Sequence, residues 1–179
     1  MDPDGDPLTF ALGTWQKLAP GFSFQPDGQW QFDPSHADWK SIKAGAKRQA
    51  VMRLKATDPH GGSGNLTVTL EVTGVNTPPQ AESPADVKVD QGAGVVEGRV
   101  NAKDVDEDAR LSFELLGDQA PDGFQLQADG RWRFDPAHPA YRALRKGEFR
   151  SLFIPVKVSD EAGGLTVVRL QITISGTQP

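Results

Sequence analysis

The chain has 179 residues, 37% of them apolar, and its 19 glycines and 14 prolines, about 18% together, require many turns and argue against long helices. Lys and Arg number 19 against 24 acids, 17 of them Asp, so a net charge of −5 excludes nucleic acid as a natural partner, while excess Asp suits turns and hard cations. Cysteine is absent, which removes disulfides and thiolate chemistry, and with neither a long apolar run nor a leader pattern no membrane insertion is expected.

In chain order, Asp2-Pro-Asp4-Gly-Asp6 precedes Leu8, Phe10 and Leu12, whose alternation predicts a strand with these three on one face. Trp15 and Trp39 are less constrained by pattern and are expected to be partly exposed. Two alternating runs meet at Pro26-Asp27-Gly28, which predicts a hairpin closed by a glycine at positive φ, and Trp30 then shares a face with Phe32. Between Pro34 and Gly45, Trp39 and Ile42 are three apart, which predicts one helical turn crossing the end of a sandwich. Met52-Leu54-Ala56 and Leu66-Val68-Leu70-Val72 predict two more strands, with Gly61-Gly-Ser-Gly64-Asn65 as the loop between them. Gly74-Val-Asn76-Thr-Pro78-Pro79 reads as a stiff, extended linker. Strand-like runs follow at Val87-Lys-Val89 and Val95-Val-Glu-Gly-Arg-Val100.

After this point the pattern restarts. Shifted by 102 positions, residues 21–76 align with 123–178 without a gap, and 17 of the 56 pairs are identical. Asp27-Gly-Gln-Trp30-Gln-Phe32-Asp33-Pro34 answers Asp129-Gly-Arg-Trp132-Arg-Phe134-Asp135-Pro136, and Asp2, Asp4 and Asp6 answer Asp104, Asp106 and Asp108. Nothing in the first copy corresponds to residues 78–103. The expected organisation is therefore a partial repeat at 1–77 and a complete one at 78–179, cut from a longer parent. Short strands with turns every 8–12 residues give the fold class: all-β, two tandem immunoglobulin/cadherin-like Greek-key β-sandwich repeats, the first lacking its N-terminal strands. Such a repeat exposes strand edges, so self-association through them is expected.

Several residues admit two readings. Trp30 and Trp132 are sugar-stacking platforms or core residues, and their phase with Phe32 and Phe134 favours the core. Lys40, Lys43, Lys47 and Arg48 recur as Arg142, Arg145, Lys146 and Arg150, a basic patch for an anionic polysaccharide or a solvated face covering apolar surface. His36 and His138 follow Asp-Pro and are placed to hydrogen-bond the turn, while His60 stands single. No nucleophile, base and orienting acid come together in the pattern, so the chain is read as no enzyme.

The Ala128-Asp-Gly-x-Trp132-x-Phe134-Asp-Pro136 block, Ala140-Tyr141-x-x-Leu144-x-x-Gly147-Glu148, Val158-Ser-Asp160-x-x-Gly163-Gly164 and Ser175-Gly176-Thr177 resemble the VCBS and bacterial cadherin-like repeats of type I secreted, RTX-class surface adhesins and of Rap-type cadherin-like adhesins. Copy one departs from that pattern with Trp39 for Tyr, Ala46 for Glu and Asn76-Thr77 where Asn-Asp is commoner. The resemblance implies a secreted or cell-surface, calcium-loaded spacer that supports cell adhesion or biofilm formation, partnered by neighbouring repeats of the same parent. A calcium-dependent lectin-like module for acidic exopolysaccharide is the alternative.

Three aspartates at alternating loop positions turn several oxygens to one point, and Ca²⁺ takes 6–8 oxygen ligands. In an immunoglobulin-type sandwich the loop holding Asp104, Asp106 and Asp108 shares a pole with the last hairpin, hence with Asp160. The expected metal set is these four with Asn76 or linker carbonyls, and a weaker sister set of Asp2, Asp4, Asp6 and Asp58. The other reading of both loops is an ordinary Asp-rich turn on a solvated end.

Overall fold

Period-two alternation becomes β-strand in both repeats of the computed structural model, which describes residues 4–13, 16–117 and 119–179. The chain divides into two units, Met1–Val75 and Asn76–Pro179. In the first, β1 (Thr9–Leu12), β2 (Phe22–Phe24), β3 (Trp30–Phe32), helix α1 (Ala37–Lys40), β4 (Lys47–Thr57) and β5 (Ser63–Thr73) follow in sequence. They form an antiparallel sheet in the order β1-β4-β5 and a separate hairpin, β2-β3.

The second unit opens with β6 (Gln80–Ala81), β7 (Val87–Asp90), β8 (Val96–Arg99) and β9 (Ala102–Lys103). It then repeats the plan of the first with β10 (Ser112–Leu115), β11 (Phe124–Leu126), β12 (Arg131–Phe134), β13 (Phe149–Ser159) and β14 (Leu165–Ser175). Its main sheet runs β10-β13-β14-β7 and its second β11-β12-β8, with β6 and β9 paired apart. The edge strand β7 lies parallel to β14, and β8 runs antiparallel to β12. Between the sheets lie Phe113, Phe134, Val156, Val158, Leu170, Ile172 and Ile174, every one buried.

The β2-β3 and β11-β12 hairpins turn where the sequence places Asp-Gly. Gly28 and Gly130 take φ of +89° and +87°, a region closed to most L-residues, and the Asp27 and Asp129 carboxylates accept the N–H of Gln29 and Arg131. The expected helical turn is present twice, as α1 and as a 3₁₀ turn at Pro139–Tyr141. His36 and His138 cap these turns, each Nδ1 accepting the N–H two residues on, at 3.3 and 3.4 Å.

Trp39 is 5% exposed, contrary to the expectation of partial exposure, because its Nε1 donates to the Pro20 carbonyl at 2.7 Å and draws the ring inward. At the equivalent place the Tyr141 hydroxyl donates to the Asp122 carbonyl, also at 2.7 Å, so two different side chains fasten the same turn. Burial pushes the Tyr141 hydroxyl above its ordinary pKa of 10.0, against the pull of Arg150 over its ring, and keeps it a donor. Tyr141→Phe is expected to lower stability by about 1 kcal/mol in urea unfolding, the worth of one largely buried hydrogen bond.

The two repeats differ where Trp30 and Trp132 sit. Trp132 is 6% exposed, as expected for a core residue, whereas Trp30 is 55% exposed, which corrects the core reading for that residue. The reason lies in β8. Gly98 stands opposite Trp132, and a Cβ built there would strike the indole, so the ring packs directly over glycine backbone. Among the described residues of the first unit no strand stands in that place. Trp15 lies outside the described residues. No helix among the described residues is long and apolar enough to cross a membrane.

Candidate metal centre

The acidic loop between β9 and β10 returns toward the segment that opens the second unit, and the contacts are specific. Asp104 accepts the N–H of Asp106 at 2.9 Å, and Asp106 accepts the N–H of Thr77 at 3.0 Å. On the β13-β14 hairpin, Asp160 accepts the N–H groups of Ala162 and Gly164 through one oxygen, each at 2.8 Å, and the Asn76 amide through the other at 3.0 Å. Adjacent residues of one segment, Asn76 and Thr77, thus touch both carboxylate loops. With its nitrogen donated to Asp160, the Asn76 amide leaves its oxygen for another partner.

Two acceptors here lack a partner. Asp104 Oδ2 and Asp106 Oδ1 are buried and accept no hydrogen bond, and Asp106 as a whole is 8% exposed. Buried carboxylate oxygens are ordinarily satisfied, and two left bare on one short loop suit a hard cation, which takes oxygen ligands. The donor set fits calcium in kind: carboxylates and an amide oxygen. Among the described residues no three His, Asp or Glu side chains are gathered around one point. Asp108 is exposed and held at φ +58°, and Asp160 is committed to its own loop.

Burial pushes the Asp160 carboxyl up, but the hydrogen bonds from Asn76, Gly164, Ala162 and Gly163 outweigh it and hold the group below its ordinary 3.8. A carboxyl depressed in the folded state contributes stability above its unfolded value and loses it as pH falls through the folded one. In chelator, unfolding midpoints are therefore expected to drop below about pH 4, and to drop less in Asp160→Asn.

In the first unit Asp58 caps the equivalent hairpin, accepting the N–H of His60 at 2.7 Å and of Gly62 at 2.9 Å. Asp6 lies 3.5 Å from His60 Nε2, a pairing that spacing alone had left invisible. Asp4 is exposed, and Asp2 falls outside the described residues.

At least three of the eight basic residues are engaged with their own surface. Lys47 pairs with Glu71 at 2.6 Å, Arg48 donates to the Asp38 carbonyl at 2.8 Å, and Arg150 lies over Tyr141 at 5.6 Å. Lys40, Lys43, Arg142, Arg145 and Lys146 lie around the same turns, all exposed. Sequence reading missed the Thr77 N–H, whose role is carried by backbone and leaves no trace in residue type.

No family profile matches the chain, and no curated protein sequence does. Solved structures do match. The chain is 16% identical to Drosophila N-cadherin EC1-4, with a TM-score of 0.54 over 100% of this chain and 44% of that one. Against human mucin-like protocadherin EC1-2 the identity is 16% and the TM-score 0.56, covering 96% and 85%. Against PcdhgB3 EC1-4 the figures are 18%, 0.53, 94% and 41%. The chain spans less than half of the first and third of these. Strand order, turns and these likenesses together give the chain the cadherin-like fold, all-β with immunoglobulin-type sheets.

Proposed function

We propose that this chain is a calcium-binding, extracellular repeat region of a large bacterial surface adhesin, a non-enzymatic spacer that supports cell adhesion or biofilm formation. Its organisation in this reading is a partial repeat at 1–77 and a complete one at 78–179. The observation that carries the proposal is the pair of bare, buried oxygens, Asp104 Oδ2 and Asp106 Oδ1, beside the segment of Asn76 and Thr77. Asp104 and Asp106 would hold the ion, and Asp108, Asp160 and the Asn76 oxygen, which are not gathered around one point in this conformation, would have to turn toward it to complete the shell. When bound, Ca²⁺ supplies the positive charge that these oxygens lack.

The cadherin-like fold supports the adhesion reading, because the similar structures are cadherin and protocadherin ectodomains by name. The bacterial reading rests on the Ala128–Pro136 block and its resemblance to VCBS and RTX-class repeats. Sister residues Asp4, Asp6 and Asp58, with Asp2, form a weaker site, since His60 already occupies Asp6. Isothermal titration with calcium chloride should give saturable heat at a Kd of about 10⁻⁴–10⁻³ M, as for extracellular modules, and far less with magnesium. Absence of heat, with melting unchanged by chelator, would overturn the proposal.

A further inference from the structure

The β11-β12-β8 sheet of the second unit carries a groove on the face turned away from the core. Side chains alternate along each strand, so Trp132, Phe134 and Val100 are buried while their neighbours point outward. The registers set the outward residues in two rows across three strands: Gln125, Arg133 and Glu97 in one, Gln127, Arg131 and Arg99 in the next. These six, all exposed, wall a groove of about 380 Å³, within the range of about 300–1,000 Å³ usual for small-ligand sites.

The charges of this lining do not balance. Three guanidinium groups face one carboxylate. Arg99 stands directly opposite Arg131, and like charges so placed destabilise a sheet. Asp129, outside the lining on the adjoining turn, lies 3.4 Å from Arg131 Nε, but among the described residues no ion pair engages Arg99 or Arg133. In the first unit the positions of Gln125, Gln127, Arg131 and Arg133 read Ser23, Gln25, Gln29 and Gln31, polar but uncharged. The hairpin itself therefore does not require the arginines.

We infer that this groove binds a phosphate monoester carried on a polar, hydroxyl-rich group. One guanidinium fork already matches the two oxygens of a carboxylate, whereas the three terminal oxygens of a phosphate serve two forks side by side, which is what Arg99 and Arg131 present. The phosphate brings a charge of about −1.5 to −2, which relieves the opposed pair. The rest of the ligand lies along Gln125, Gln127 and Glu97, whose amides both donate and accept and whose carboxylate accepts, as hydroxyls demand. Arg133 closes the far row. None of these residues belongs to the acidic loops, so the groove and the calcium reading stand or fall separately.

The test is a nuclear magnetic resonance titration of the whole chain in calcium-free buffer, following backbone amides and arginine Nε–H groups. Glucose 6-phosphate is the probe, with inorganic phosphate, glucose and polygalacturonate beside it. The expected result is a saturable shift confined to residues 97–99, 125–127 and 131–133 at a Kd of about 1 mM, weaker for inorganic phosphate and absent for glucose. Arg131→Gln should bind at least about tenfold more weakly, and Gln29 at the equivalent place shows that the strand accepts this residue. Arg99→Gln should repeat the loss from the facing strand. Without ligand neither variant should melt below wild type, since each removes an opposed like charge. Four results would each overturn the inference: no saturable shift up to about 20 mM, binding undiminished in either variant, polygalacturonate displacing glucose 6-phosphate at an equal concentration of acidic groups, or shifts centred on the basic residues around Tyr141 instead.

Discussion

Trp132→Ala should destabilise the second unit by about 3–5 kcal/mol, while Trp30→Ala, the same exchange in the same motif, should cost less than about 1 kcal/mol in the first. Trp132 is 6% exposed, stacked on Phe124 and covered by Gly98, so its removal leaves a cavity that the β8 backbone does not fill. Its Nε1 has no acceptor, so the loss is one of packing and not of a hydrogen bond, and Trp132→Phe should fall between wild type and Ala. Trp30 rests on Phe22 with its other face in solvent. Calorimetric melting of the whole chain, with exchange assigning each transition to a unit, checks the pair. Equal costs would contradict the difference in burial.

The stability of Asp106→Asn relative to wild type should fall when calcium is added. In chelator the variant is expected to be as stable as wild type or more so, by up to about 1–3 kcal/mol, because an unsatisfied buried acceptor disappears while an oxygen remains for the Thr77 N–H. With calcium at tenfold its Kd, wild type gains about 1.4 kcal/mol by mass action and the variant gains little. Thermal melts of both proteins with and without calcium decide it. A variant that melts lower in both conditions would mark Asp106 as a structural acceptor instead of a ligand.

Much of the fold is legible in the residues because each of its devices is local. Asp-Gly between alternating runs dictates the two hairpins, and the spacing of Tyr141 and Leu144 dictates the turn that His138 caps. The 102-residue shift then lets one copy check the other, so Ile154, Val156 and Val158 reinforce Met52, Leu54 and Ala56. The acidic loops are equally visible as clusters of Asp. Their pairing with a backbone N–H at Thr77, or of Asp6 with His60, is not, because those partners are brought together only by folding.

Trp30 marks where sequence reasoning stops. Its motif is that of Trp132, its neighbours Phe22 and Phe32 match, and periodicity assigns both tryptophans to the same face. What separates them is a strand 34 residues upstream of Trp132, for periodicity describes only which side of a strand a residue takes. Local chemistry determined the turns, strand faces, helical caps and charge of this protein. Burial was decided by tertiary structure alone, since it depends on what lies across the gap: Gly98 over one indole and solvent over the other.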